Sequence, residues 1–133
     1  MREILFRSWN IIDNCFYYFE NGTYYYFGES KIIVEEFVFN WKGAQQFTGL
    51  LDKKGNKIFE GDELRDDWIN DLGEIVEDYC VVTWYNSNGC WAIDNSYKKN
   101  GSSYTNLVNY LGLNNLEIIG NIHEENQKSK RYI

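Results

Sequence analysis

The sequence predicts an all-β protein, a small barrel built of short antiparallel strands. Runs of β-branched and aromatic residues recur along the whole chain, separated by short clusters of Gly, Asn and Asp. Regular spacing of that kind points to a small β-barrel. Two clusters end in Asn-Gly (Asn21-Gly22 and Asn88-Gly89), a pair that supplies the positive φ angles of a tight hairpin. With 133 residues, 44% hydrophobic and 18% aromatic, the chain can bury a core without disulfides or a metal.

The elements follow in order. Glu3–Trp9 alternates Ile4, Phe6 and Ser8 against Leu5, Arg7 and Trp9, and Asp13-Asn14 then marks a turn. Cys15–Phe19 and Thr23–Phe27 are aromatic runs flanking Glu20-Asn21-Gly22, an expected hairpin. Lys31–Asn40 fits neither period cleanly, and its β-branched and aromatic content selects strand. Phe47–Leu51 and Lys57–Phe59 flank the turn Asp52-Lys53-Lys54-Gly55, and Gly61-Asp62 turns the chain again before Glu63–Arg65. Residues 66–78 place Trp68, Ile69 and Leu72 at near-helical spacing within an acidic stretch, which predicts a loop or a helix of one to two turns.

Tyr79–Tyr85 and Cys90–Asp94 form the clearest expected hairpin. Pairing Tyr85 with Cys90 sets Trp84 opposite Trp91 and Val82 opposite Ile93 on one face. That register holds Cys80 and Cys90 too far apart for a disulfide. Thr105–Leu111 is read as a short helix capped by Thr105 and closed by Gly112. Leu116–His123 is the last strand, with a bulge at Gly120.

Charge and cysteine usage narrow the function classes. The net charge is −7, and residues 46–94 carry 11 acidic against 4 basic side chains. Such a field repels phosphate, which argues against broad nucleic-acid binding. Arginines within the first ten residues argue against a signal peptide. No apolar run is long enough to span a bilayer as a helix, so a cytoplasmic protein without membrane contact is expected. Cys15, Cys80 and Cys90 are an odd number in a reducing compartment and are read as packed free thiols.

The segments Gln46-Phe47-Thr48-Gly49-Leu50, Asp52-Lys53-Lys54-Gly55 and Ile58-Phe59-Glu60-Gly61-Asp62 together resemble the signature of the YopX family of phage and prophage proteins. The opening Arg2-Glu3-Ile4, Phe6-Arg7 and Trp9, and the closing Leu116–Ile122, are similar to that family's first and last strands. The resemblance implies a barrel of the SH3 type, a phage or prophage source in a bacterial host cell, and no established biochemical activity. On that reading residues 44–123 form the SH3-like barrel, with short helical insertions at 66–78 and 95–115. An aromatic β-hairpin region, residues 1–43, precedes it, and residues 124–133 form a flexible tail. The motif itself reads as structure. Gly49, Gly55 and Gly61 stand at sharp turns, Asp52 and Asp62 accept bonds from turn amides, and Thr48 belongs to the same block.

Chemistry is sparse. His123 is the one histidine, at the end of a strand, and a nucleophilic triad has no other base to use. The cysteine spacings do not match a zinc site. The carboxylates of residues 62–78 offer oxygen ligands for Mg²⁺, but no nuclease or calcium-loop spacing accompanies them, and a solvated acidic loop accounts for them. Phosphate-binding glycine loops are missing as well. No enzyme activity and no cofactor are therefore expected.

Two surfaces stand out for binding. Tyr17, Tyr18, Tyr24, Tyr25 and Tyr26 lie in adjacent hairpin strands, so about half should face away from a core. Asp66, Asp67, Trp68 and Asp71 combine charge with a large aromatic ring. Both surfaces point to a protein partner of host or phage, or to a homo-oligomer. A nucleic-acid-binding barrel is the alternative reading, and a divalent-metal enzyme a weaker one.

Overall fold

The computed structural model describes residues 3–86, 89–94, 104–108 and 116–123. The described residues form two antiparallel sheets joined by turns and two single-turn 3-10 helices, so the all-β class expected from the sequence is the class observed. Among the described residues neither sheet closes into a barrel. The chain divides into two compact units, Met1–Gly49 and Leu50–Ile133.

In the first unit, β1 (Leu5–Asn10), β2 (Cys15–Glu20), β3 (Thr23–Phe27) and β4 (Lys31–Ile33) form a meander, and the first residues of β5 (Gln45–Leu51), whose last two belong to the second unit, pair back onto β1. The hairpin turn is Asn21-Gly22, with φ of 51° and 80°. Two successive left-handed residues give a turn whose twist matches the strands it joins. Alternation then sorts the aromatics by face. Phe6, Phe19 and Tyr24 share one face, onto which Phe39 and Trp41 pack, with ring centroids 5.0 Å apart for Phe19–Trp41 and 4.8 Å for Phe39–Trp41. The other face carries Trp9, Phe16, Tyr18 and Tyr25, with the Arg7 guanidinium seated 4.0 Å from the Phe16 centroid.

The strand expected over Lys31–Asn40 stops at Ile33, and Glu36–Val38 and Trp41–Gly43 form the 3-10 turns. The partner strand explains this. Ile33 pairs with Tyr25 and the Val34 amide reaches the Tyr24 carbonyl, after which β3 ends at its own hairpin and offers no further edge. The chain coils instead, which turns Phe39 inward and leaves Phe37 exposed.

The second unit holds β6 (Lys57–Phe59), β7 (Asp62–Ile69), β8 (Ile75–Tyr85), β9 (Cys90–Asp94), β10 (Tyr104–Asn106) and β11 (Glu117–Asn121). Five of these strands make a sheet in the order β10-β9-β8-β7-β11. Ile58, Leu64, Cys80, Val82, Ile93, Leu107 and Leu116 form its core. The β8–β9 register is the expected one, with Tyr85 opposite Cys90 and Trp84 opposite Trp91, their rings edge to face at 5.0 Å. The register of β11 on β7 shifts between Ile118 and Gly120, a bulge where the sequence placed one. All three cysteines are free.

Two expectations are corrected. Residues 66–78 are neither loop nor helix: they are the two arms of the β7–β8 hairpin and its turn. Cross-strand pairs Trp68–Val76 and Ile69–Ile75 outweigh the helical spacing of Trp68, Ile69 and Leu72. Thr105 lies in β10, paired with Ile93, and it is Asn106 Oδ1 that accepts the Val108 amide, at 2.9 Å. Leu107 and Val108 are helical, while residues 109–111 of the expected helix, its closing Gly112, and the tail 124–133 lie outside the described residues.

One carboxylate binds distant parts of this unit. Asp52 Oδ1 accepts the amides of Lys54 (2.9 Å) and Asn56 (2.8 Å), and Oδ2 accepts the amide of Ile118 (3.0 Å). The Lys53 amide in turn donates to the Leu116 carbonyl, and Lys54 Nζ lies 2.6 Å from Glu117. Burial pushes the Asp52 carboxyl up, but the amides of Ile118, Asn56 and Lys54 outweigh it and hold it below its ordinary value. Replacing Asp52 by Ala strands three amide donors, so about 2–3 kcal/mol of stability should be lost at neutral pH. Because the folded state holds this proton less tightly than the unfolded chain, the contribution is full above the ordinary carboxyl value and fades as pH falls through the lowered one. Urea denaturation of wild type and Asp52→Ala at neutral pH and at about pH 3 measures this: the gap should narrow in acid.

Candidate functional site

The β7–β8 hairpin concentrates charge and exposed apolar area in one place. Its register puts Asp66 opposite Asp78 and Asp67 opposite Glu77, two like-charge pairs in succession. Like charges facing each other across strands oppose pairing. On the Asp67–Glu77 side the repulsion is relieved by Arg65. Arg65 Nε and Nη2 donate to the two oxygens of Asp67, at 2.9 and 3.0 Å, and Nη2 donates also to Glu77 Oε1 at 3.0 Å. The Tyr79 hydroxyl donates to the second Glu77 oxygen at 2.7 Å. The hydrogen bond from Arg65, and then its charge, hold the Asp67 carboxyl below its ordinary value.

Beyond this network the strands end on Ile69 opposite Ile75, with Leu72 at the apex. These side chains are 71%, 73% and 83% exposed. The apex is ordered by Asn70. Its Oδ1 accepts the amides of Leu72 and Glu74, both at 3.0 Å, its carbonyl accepts the Gly73 amide, and its own amide donates to the Glu74 carbonyl. Gly73, at φ 77°, permits the return. Asp67, Asp71, Glu74 and Glu77 are exposed around the three aliphatic side chains. The apex is apolar at its point and acidic at its rim.

Of the residues singled out in the sequence here, Asp66 is buried in β7, Asp67 is exposed and paired with Arg65, and Asp71 sits in the turn. Trp68 lies in β7 opposite Val76. Sequence reading noted Ile69 and Leu72 only for their helical spacing and did not single out Ile69, Leu72 or Ile75 for binding, although an apolar triad inside an acidic stretch signals them.

The five tyrosines are placed otherwise. Tyr17 and Tyr25 are buried and on opposite faces of their sheet, while Tyr18, Tyr24 and Tyr26 are half-buried. They stack on each other: Tyr17 on Tyr26 at 5.0 Å and Tyr18 on Tyr25 at 5.5 Å. Lys31 Nζ lies 4.0 Å from the Tyr25 ring centroid. A hydrogen bond to Asp13 (2.6 Å), then burial, push the Tyr17 hydroxyl up to about 12. Burial, then the charge of Glu20, push Tyr25 to about 12. In the turn motif, Gly49, Gly55 and Gly61 have φ of 85°, 84° and 84°, Thr48 is buried, and Asp62 Oδ2 accepts the Phe59 amide at 2.7 Å.

Among the described residues no group of three or more His, Cys, Asp or Glu is gathered in a way that holds a metal ion. No helix among them is long and apolar enough to cross a membrane.

Two measurements follow. Ultraviolet titration of the phenols should leave Tyr17 and Tyr25 protonated at about pH 11, where ordinary tyrosines have ionised. Since both folded values are raised, their neutral forms support the fold fully below about pH 10, and that support is lost as pH climbs through 12. In the hairpin, Arg65→Met removes the cation hydrogen-bonded to both Asp67 and Glu77. The variant should melt below wild type, and added salt should raise its Tm more than that of wild type. An equal response to salt in both proteins contradicts the charge-relief role.

A family model described as YopX protein matches residues 5–128 of the chain. No curated protein matches it in sequence.

Proposed function

This chain belongs to the YopX family, and from that premise we propose that it is a non-enzymatic phage or prophage accessory protein that acts by binding another protein in the bacterial cytoplasm. The observation that carries the reading is the exposed cluster of Ile69, Leu72 and Ile75. Three large aliphatic side chains gathered at one exposed point cost solvation free energy unless another surface covers them. The surrounding carboxylates keep the free protein in solution while the apex waits for its partner.

Self-association through the tyrosine-rich sheet draws less support. Its tyrosines are buried or half-buried and already stacked on one another, so they offer little fresh area to a second copy. The same holds for stacking on nucleic-acid bases. Arg7 and Lys31 already sit on Phe16 and Tyr25 within the sheet, and the charge of the chain opposes phosphate.

A tagged pull-down from host cells carrying the induced prophage, with protein and nucleic acid both quantified, tests the reading. One stoichiometric protein that washes off as salt rises is the expected result. Nucleic acid without protein overturns it in favour of a nucleic-acid binder. An empty eluate overturns it too, and light scattering on the same sample then distinguishes a monomer from a self-associated species.

A further inference from the structure

We infer that the apex of the β7–β8 hairpin is the docking element itself, and that its occupant is a protein presenting an apolar patch bordered by lysine and arginine. The inference rests on the protein-binding reading and deepens it. Leu72 is the leading anchor, flanked by the Ile69–Ile75 pair on the strands behind it.

The chemistry of the rim selects the occupant. Residues 62–78 hold a single cation, Arg65, and it is committed to Asp67 and Glu77. Asp71 and Glu74, closest in sequence to Leu72, have no basic residue between Arg65 and the end of the hairpin to offset them. A second copy of this apex would bring like charge against like charge, and a nucleic acid or an anionic lipid surface would do the same. A protein surface with cationic groups around an apolar centre satisfies both parts at once: its apolar patch covers the three aliphatic side chains, and its rim pairs with the carboxylates.

The free apex is already shaped for contact. Asn70 holds the turn through hydrogen bonds to Leu72, Gly73 and Glu74, and Arg65 ties the two strands just behind it. Order present before binding is not charged against affinity when the partner arrives.

The test uses the full chain and a defined probe. The probe is a fluorescent amphipathic peptide, helical, with a leucine stripe bordered by lysines, and the control is a peptide of the same composition with the leucines scattered. Fluorescence anisotropy should show wild type binding the striped peptide at least tenfold more tightly than the scattered one. Leu72→Ser should weaken striped-peptide binding tenfold or more, and Asp71→Asn with Glu74→Gln should weaken it and flatten its salt dependence. All three positions in these variants are exposed, so unchanged melting curves verify that the fold is intact. Equal binding of the two peptides, indifference to Leu72→Ser, or no binding by wild type overturns the inference. The pull-down repeated with Leu72→Ser separates the two levels. A protein partner kept by that variant leaves the protein-binding reading standing and removes the apex from it.

Discussion

The second unit depends on one buried carboxylate. Asp52 is 7% exposed, and its two oxygens collect amides from its own turn and from Ile118, a residue 66 positions later. Closing so long a segment costs chain entropy that a single neutral hydrogen bond does not offset. A charged acceptor with three amide donors does better, because each bond is charge-assisted and two of the three close the turn that holds Asp52 in place. The Lys53 amide on Leu116 and the Lys54 ammonium on Glu117 reinforce the same junction. With β11 anchored, the β7 edge it covers is paired over Asp62–Arg65, and the outer part of β7 with β8 is free to project as a hairpin.

That dependence explains the mixed legibility of the sequence. Elements whose cause is local were readable: the Asn21-Gly22 hairpin, the Asp52–Gly55 turn and the β8–β9 register all follow from a few neighbouring residues. The bulge near Gly120 was readable for the same reason. Elements decided by a partner were not. Lys31–Asn40 has strand composition throughout, yet it stops after three residues because β3 has no more edge to give. Residues 66–78 have helical spacing, yet Val76 and Ile75 stand across from Trp68 and Ile69 and a long β8 imposes extension. In each case the deciding interaction lies on another segment, where a window of local periodicity does not reach. The Asp52–Ile118 bond shows the same limit from the other side: the turn was visible, its long-range acceptor role was not.

The candidate site was legible only in its charge. An acidic stretch is apparent from composition, but whether it is a solvated loop or a built surface depends on what faces what. The hairpin register pairs Asp67 with Glu77 across the strands, an arrangement that costs stability unless a cation intervenes. Arg65 intervenes from two positions away, because residues i and i+2 share a face in a strand. On a helix the same residues would point in different directions, and this network would not form.

This arrangement also separates what stabilises the hairpin from what it exposes. Arg65, Asp67, Glu77 and Tyr79 satisfy one another behind the apex, so the strands are already tied there before the Ile69–Ile75 pair adds its part. The apex turn is likewise closed by Asn70 rather than by apolar packing. A hairpin whose polar groups supply its order has no internal use for three exposed aliphatic side chains. Selection for solubility alone favours replacing them with polar residues, since most of their area stays in water in this fold. On the proposed reading a partner surface covers them, and the exposed carboxylates on the same hairpin favour a partner of opposite charge.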